Sequence, residues 1–513
     1  MKAKLSLLLH FHIPYVRKRG VWPYGEEWVH EAILDCYLPL LVALCEVEKK
    51  GIKNTLVCSV TPILAEQLCD SHIKEKFLQY INHRIELTSL DERDFQMRGW
   101  HELKNLACAY LESLMILKSY WLSIDGNIIG ELVKLASKHV IEIGTSSATH
   151  GILPLLDTKS IDRQLEIGLE SATRLFGFKP FSFWMPECAY KPGLEKQLQN
   201  HGIGCVFMDS VAVTGRFETP GFSNNFSETV TIEPKQEKTL GTTYKPYLLG
   251  SSRVNFMARN FYLSKQVWSA KEGYPGDSRY REFHKRYERS GNRYWKVTSL
   301  DTNLGNKEIY DIHSAQSIAN DHARHFIHKI WETANSQIDG DLVFLSFDAE
   351  LFGHWWHEGI DWLRNVILEA GESENVELVT PKDYLVKNPP KSSVRPPVCT
   401  WGNKSDLSTW LDPETDNMWN DLAEMADKFN YEVGNFKNTQ LHTQLLRELL
   451  LAQSSDWEFL VTTKQAKSYG LERFKTHKDA FYQLLEMSKS GIDIEKLGTL
   501  QDTDNPFKFL EAV

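Results

Sequence analysis

Residues 341–359 read DLVFLSFDAELFGHWWHEG. Five of the six residues Leu342 to Phe347 are apolar, and Asp348, Glu350, His354, His357 and Glu358 then follow within eleven positions. A short apolar run of this kind predicts a strand buried on both faces. Ending it in so many ionisable groups is costly unless function or pairing accounts for them. Upstream, LSLLLHFHIP (5–14) is a similar apolar run closed by Pro14, with His10 and His12 two apart and so on one face. NTLVCSVTPIL (54–64), HVIEIGTSSATHGILP (139–154), FKPFSFWMPECAY (178–190), GIGCVFMDS (202–210) and RVNFMARN (253–260) continue the series. Several end on polar residues: His150, Glu187 and Asp209.

Helical stretches separate these runs. An amphipathic one is predicted around Glu31 to Lys50, with Gly51 as its stop, and others at Asp162–Phe176, Gly193–His201 and Ser314–Trp331. Alternation of strand and helix implies an α/β fold with parallel strands, whose C-terminal ends form the active-site face of a barrel. Spacing alone leaves a ring of seven or eight strands open. The stretch from about 66 to 138 is polar, helix-like and strand-free, and reads as a helical subdomain inserted into a catalytic barrel of residues 1–388. Past the Pro-rich connector NPPKSSVRPP, residues 389–513 read as a C-terminal helical domain, with helices at Trp419–Tyr431, Thr439–Gln453, Thr463–Gly470 and Arg473–Lys489.

Composition bounds the function. The 513 residues carry 58 basic and 68 acidic side chains, a net charge of -10, which argues against a nucleic-acid partner. No window approaches 18 consecutive apolar residues, so no membrane partner is expected. The apolar start Leu5–Leu9 is too short for a signal peptide and is interrupted by His10 and His12. Eight cysteines form no CxxC pair, consistent with reduced thiols and a cytoplasmic location. The 15 tryptophans include several in turn-like polar settings, among them Trp22, Trp184, Trp268, Trp355, Trp356 and Trp401. A flat apolar ring beside Gly, Pro and carboxylates suits the C–H face of a sugar.

Two carboxyl groups at strand ends, Glu187 and Asp348, suggest glycoside chemistry. One attacks the anomeric carbon while the other protonates the leaving oxygen. Retaining enzymes hold the pair about 5–5.5 Å apart and inverting ones about 6.5–9.5 Å. A metal site built on His354, His357, Glu350 and Asp348 has no HEXXH or recognised zinc spacing behind it, and no metal is expected.

Taken together, LHFHIPYVRKRGVWPYGEEW, IEIGTSSATHGILPLL, FWMPECAYKPGLE, KQVWSAKEGYPGD, SFDAELFGHWWHEG and LRELLLAQSSDW, spread from residue 9 to 457, resemble glycoside hydrolase family 57 and its 1,4-α-glucan branching group. The resemblance implies a distorted (β/α)7 barrel and a double-displacement mechanism that cleaves α-1,4 bonds and transfers the segment to a 6-hydroxyl. It implies Glu187 as nucleophile and Asp348 as acid/base. His10, His12 and His150 would bind sugar hydroxyls, and Trp22, Trp268, Trp401 and Trp410 would line an α-glucan cleft. No metal or organic cofactor is implied, and oligomeric state is left open.

Two segments depart from that pattern. WGNKSDLSTW (401–410) stands where branching members carry a WGEGGYH-like stretch. The loop after Asp209 holds no tyrosine between Phe226 and Thr243, where the group carries one that shields the intermediate from water. Hydrolysis, or 4-α-glucan transfer, on the same scaffold is the alternative outcome, and a catalytically weak glucan-binding protein a more distant one.

Overall fold

A computed structural model describes residues 2–215, 240–432 and 439–512. The loop after Asp209, with its missing tyrosine, falls mostly outside them.

Seven parallel strands make the ring: β1 (Ala3–Phe11), β2 (Val57–Val60), β3 (Glu142–Gly144), β4 (Ser182–Phe183), β5 (Cys205–Met208), β6 (Asn255–Ala258) and β7 (Leu342–Asp348). β1 pairs with β2 and β7, β2 with β3, β4 with β5, and β5 with β6, all parallel. Thr145 bridges to Phe183 and joins β3 to β4. Closure between β6 and β7 rests on Asn260 N–H donating to the Phe344 carbonyl (2.8 Å), while lower down Leu342 N–H bonds Tyr244 O (3.0 Å). The ring is therefore splayed at this seam, a (β/α)7 barrel distorted where Tyr247–Leu249 runs antiparallel to β6.

Side-chain alternation sorts the strands into two layers. Leu8, Val57, Cys205, Phe207, Met257 and Phe344 pack inside the barrel with Trp184. Leu7, Leu9, Val60, Val343, Leu345 and Phe347 face outward onto the helices. The inward register of β1 continues from Leu8 to His10, and that of β7 from Phe344 to Asp348. His10 and Asp348 are Cα partners across the two strands.

The first helical stretch is longer than the sequence predicts. It runs Glu26–Ala32, changes to a π-turn at Ile33–Tyr37 and resumes as Leu38–Lys49. It is long and apolar enough to pass for a membrane span, but 67% of the relevant window is buried against the barrel, as in a core helix. Between β2 and β3 lie the helices Pro62–Cys69, Ser71–Arg98, His101–Ser123 and Ile128–Ser137, with no strand among them. Asp70 caps the second of these, and Gly99, in the left-handed region at φ 70°, ends it. After the barrel come Asp416–Glu432, Thr439–Ala452, Asp456–Thr463, Lys467–Ser490 and Ile494–Thr503, sharing their own apolar cluster. The helices expected at Thr463–Gly470 and Arg473–Lys489 merge into one helix, Lys467–Ser490, which runs through Gly470, while Thr463 ends the helix before it.

Candidate active site

β4 is only two residues long, so Glu187 does not end a strand as the sequence suggests. It sits in the 3-10 turn Pro186–Cys188, with φ 61° and ψ 21°. Cys188 (φ 51°) and His150 (φ 60°) share the left-handed region. Non-glycine residues pay for that conformation and concentrate where geometry matters more than comfort. Trp401 fixes Glu187 twice: its backbone N–H donates to the Glu187 carbonyl (3.0 Å), and its indole Nε1–H donates to Oε2 (2.7 Å).

Three imidazoles stand beside this turn. His10 Nε2 and His150 Nε2 are 3.0 Å apart. His12 stacks on His150 with centroids 3.9 Å apart, and His10 stacks on Trp184 at 4.7 Å. His150 Nδ1 shares a hydrogen bond with Ser455 Oγ (3.0 Å) and lies 3.9 Å from Glu187 Oε1. His12 Nε2 meets both oxygens of Asp456 (3.0 and 3.1 Å), and its Nδ1 meets Thr61 Oγ1 (3.1 Å). Asp456 and Ser455 come from the C-terminal helices, which therefore complete this face of the barrel. The loop after Asp348 is braced by the π-turn. Cys36 Sγ–H points at Ala349 O (3.0 Å), Tyr37 O–H donates to Glu350, and His354 Nδ1 pairs with Asp35 (3.2 Å). Glu358 accepts from Arg281 N–H (2.9 Å). The ionisable run after β7 is thus mostly structural pairing, with Asp348 at the barrel mouth.

Electrostatics follow from enclosure. Only 17% of the Glu187 side chain meets solvent. Desolvation pushes it up to about 8; the Trp401 indole opposes this, while the charges of Asp348 and Asp456 add to it. Desolvation also pushes Asp348 up to about 7, against the pull of His12 and Arg259. Two such carboxyls titrate as a pair, which keeps one proton up to neutral pH. The indole N–H can only donate, so it favours the ionised form on Glu187. Asp348 accepts no comparable hydrogen bond among the described residues. A donor fixed on Glu187 and none on Asp348 suits an ionised Glu187 beside a protonated Asp348. Burial, and next the neighbouring His12, hold His10 and His150 well below the ordinary imidazole value, so both are neutral. Asp456 is also desolvated, but the His12 charge and hydrogen bond outweigh this and bring it down to about 2.

Among the described residues two groups have donor atoms spaced for a metal ion: His12, His150 and Asp456, and separately Glu448, His477 and Asp504. In the first, His12–Asp456 and His150–Ser455 hydrogen bonds already join the donors. In the second, Arg19 bonds Asp504 and Arg473 bonds His477, placing cations where an ion would sit.

The tryptophans separate. Trp401 belongs to the site. Trp268 ends the helix Phe261–Trp268, half-buried, with its ring 6.4 Å from that of Phe347. Trp22 is 76% exposed on the loop before Glu26. Trp410 corrects the expectation of a cleft-lining ring: it is fully buried, packed with Ile152 and Ala189 and tilted toward Phe459, and has no free face for a sugar. Asp456, Ser455, Thr61 and the Arg259–Asp209 pair were not singled out as site residues in the sequence. Asp456 had a signal, the polar run QSSD closing an apolar LLLA, but nothing in the chain pointed to His12, 444 residues away.

A family model described as Glycosyl hydrolase family 57 matches residues 6–395, and one described as 1,4-alpha-glucan branching enzyme, C-terminal, matches residues 414–513. The chain is 38% identical to a 1,4-alpha-glucan branching enzyme of Thermococcus kodakarensis, over 99% of this chain and 78% of that one. The crystal structure of that enzyme superposes with a TM-score of 0.91 at 36% identity, covering 99% and 96% of the two chains. An alpha-amylase from Thermotoga maritima superposes at 0.85 and 29% identity, covering 100% and 99%.

Proposed function

We propose, from the premise that the chain belongs to glycosyl hydrolase family 57, that Glu187 and Asp348 cleave and re-form glucosidic bonds with retention. The activity is 1,4-α-glucan branching, the reading supported by the full-length likeness to branching enzymes and by the C-terminal family match. The observation that carries the residue roles is the pair of enclosed carboxyls at the barrel mouth, one held by an indole N–H on a left-handed turn.

The steps follow from the charge states. Ionised Glu187 attacks the anomeric carbon of an α-1,4-linked glucosyl unit as the C–O bond breaks, and Asp348 gives its proton to the departing oxygen. The product is a glucosyl ester on Glu187. Asp348, now a carboxylate, removes the proton from a 6-hydroxyl of an acceptor chain. That oxygen attacks the same carbon and Glu187 leaves. Two inversions give retention. Neutral His10 and His150, with His12 held by Asp456, supply donors and acceptors for the hydroxyls of the reacting sugar. Trp401, Trp268 and Trp22 offer ring faces along the chain; Trp410 is withdrawn from this set.

In the same reading residues 1–388 form the catalytic barrel with its helical insertion at 66–138, and 389–513 a helical domain that closes the cleft. The separate apolar cluster of the late helices supports that division. Eight unpaired cysteines support a cytoplasmic setting.

Likeness to an alpha-amylase keeps hydrolysis as the second reading, in which water takes the place of the 6-hydroxyl. Incubation with amylose separates them. Branching lowers iodine staining without a matching rise in reducing ends, and debranching then releases short chains. A rise in reducing ends that tracks the loss of staining contradicts branching.

A further inference from the structure

At the ends of β5 and β6 two charged residues meet inside the barrel wall. Arg259 follows Ala258, and its N–H donates to Met208 O (3.0 Å), locking the strand ends together. Arg259 Nε donates to Asp209 Oδ2 at 2.6 Å, with both side chains only 3% exposed. Asp209 is itself held, its Oδ1 accepting from Ser210 Oγ (3.0 Å) and Val211 N–H (3.2 Å). A buried ion pair is costly to desolvate and often adds little to stability over a well-packed apolar substitute, so its location asks for another reason. The guanidinium lies 5.4 Å from the centroid of the Trp401 ring. Trp184 meets the same ring edge-on at 4.8 Å. The indole is thus gripped between Arg259 and Trp184 while it donates to Glu187.

We propose that Arg259, anchored by Asp209, is a positioning residue for the transfer reaction: it holds the Trp401 indole so that its N–H stays on Glu187. This rests on the reading of Glu187 and Asp348 given above. The same cation bears on Asp348, with His12 just past the end of β1 and against Glu187 and Glu350, which carry the opposite charge when ionised. One anchored guanidinium thereby serves both carboxyls, through the indole for one and through its charge for the other. Lysine at 259 would keep the charge and lose the flat, forked surface that lies over the indole.

A double-mutant cycle of Arg259→Lys and Trp401→Phe tests this, read as kcat for transfer on amylose, with each variant checked by thermal melting. Each single change is expected to lower kcat about tenfold or more, the scale of a hydrogen bond to a charged group. Because both act on one contact, the double variant should fall within about threefold of the worse single. In Arg259→Lys KM should stay within about twofold, since no group that touches the glucan is removed. Independent losses that multiply to about a hundredfold overturn the proposal, as does a raised KM with unchanged kcat. Should Arg259→Lys fail to fold, Asp209→Asn replaces it in the cycle, with the same expectation. Arg259→Gln adds a charge readout: loss of the cation should move the alkaline limb of kcat upward, while Arg259→Lys leaves that limb in place. A limb unmoved in both variants removes the charge part of the role. Glu187→Gln, run alongside, separates the levels. If it is inert and the cycle is additive, only this inference fails; if it is active, the underlying reading fails.

Discussion

Glu187 occupies a backbone conformation that a glutamate adopts only when its surroundings insist (φ 61°, ψ 21°). The insistence is visible: Trp401 holds both its carbonyl and its carboxylate. Glu187→Gln keeps the shape and removes the nucleophile, so it should lower turnover roughly a thousandfold or more while leaving amylose binding intact. Single-turnover kinetics with a binding isotherm measure both. The raised carboxyls also set a pH signature. Because enclosure pushes Glu187 to about 8 and Asp348 to about 7, protonation of the pair begins near neutrality. Acid should therefore silence the enzyme well above the ordinary carboxylate range, by re-protonating the nucleophile. In Asp348→Asn, assayed for the first step on a substrate whose leaving group needs no proton, the acid limb should stay in place, because residue 348 is already neutral when Glu187 takes up its proton. An acid limb that moves by a unit or more argues against placing the shared proton on Asp348. Both carboxyls were legible from sequence as polar residues closing apolar runs. The strain at Glu187 was not, because the left-handed turn arises from contacts with residue 401, far along the chain.

The strands were legible for the same reason the barrel forms: runs buried on both faces have no polar alternation to hide them. β4 was read as a strand too, but its early end was not legible, since only Ser182 and Phe183 pair as strand and the apolar residues after them turn inward as interior packing. The short helix Asp456–Thr463 also escaped notice, yet its first residue meets His12 and the residue before it meets His150. Asp456→Asn should weaken that hold and lower kcat/KM about tenfold or more, with little change in melting temperature, since the side chain is half-buried at the cleft. An unchanged kcat/KM would make the contact incidental. The helix Thr158–Phe176 positions His150 from the other side. A Cβ at Gly168 would stand 2.8 Å from Ala148 N and 2.9 Å from Ser146 O, both backbone. Gly168→Ala should therefore destabilise the fold by about 1–3 kcal/mol by calorimetry or denaturant melting. It should lower activity beyond what that stability loss explains, by displacing the loop that carries His150.

The molecule as a whole is a splayed seven-stranded ring to which late helices add side chains. This explains why part of the site was invisible in the sequence. Hydrophobic rhythm reports which runs are buried. It does not report that residues 455 and 456 dock onto residues 150 and 12. The expectation that Trp410 lines the cleft came from the family resemblance instead, and there the ring is packing. The contact between barrel and late helices predicts that cleavage and transfer are lost together when Asp456 is changed, rather than transfer alone. Comparing initial bond cleavage with branch formation in that variant tests this; cleavage that persists without branching would assign Asp456 to the acceptor side only.

The central claim is that a sugar becomes covalently attached to Glu187. A 2- or 5-fluoro α-glucosyl or maltosyl fluoride slows release of such an ester enough for mass spectrometry of digested protein. The account predicts a stable adduct on the peptide containing Glu187, absent in Glu187→Gln. An adduct on another residue, or steady turnover with inversion at the anomeric carbon, would contradict it.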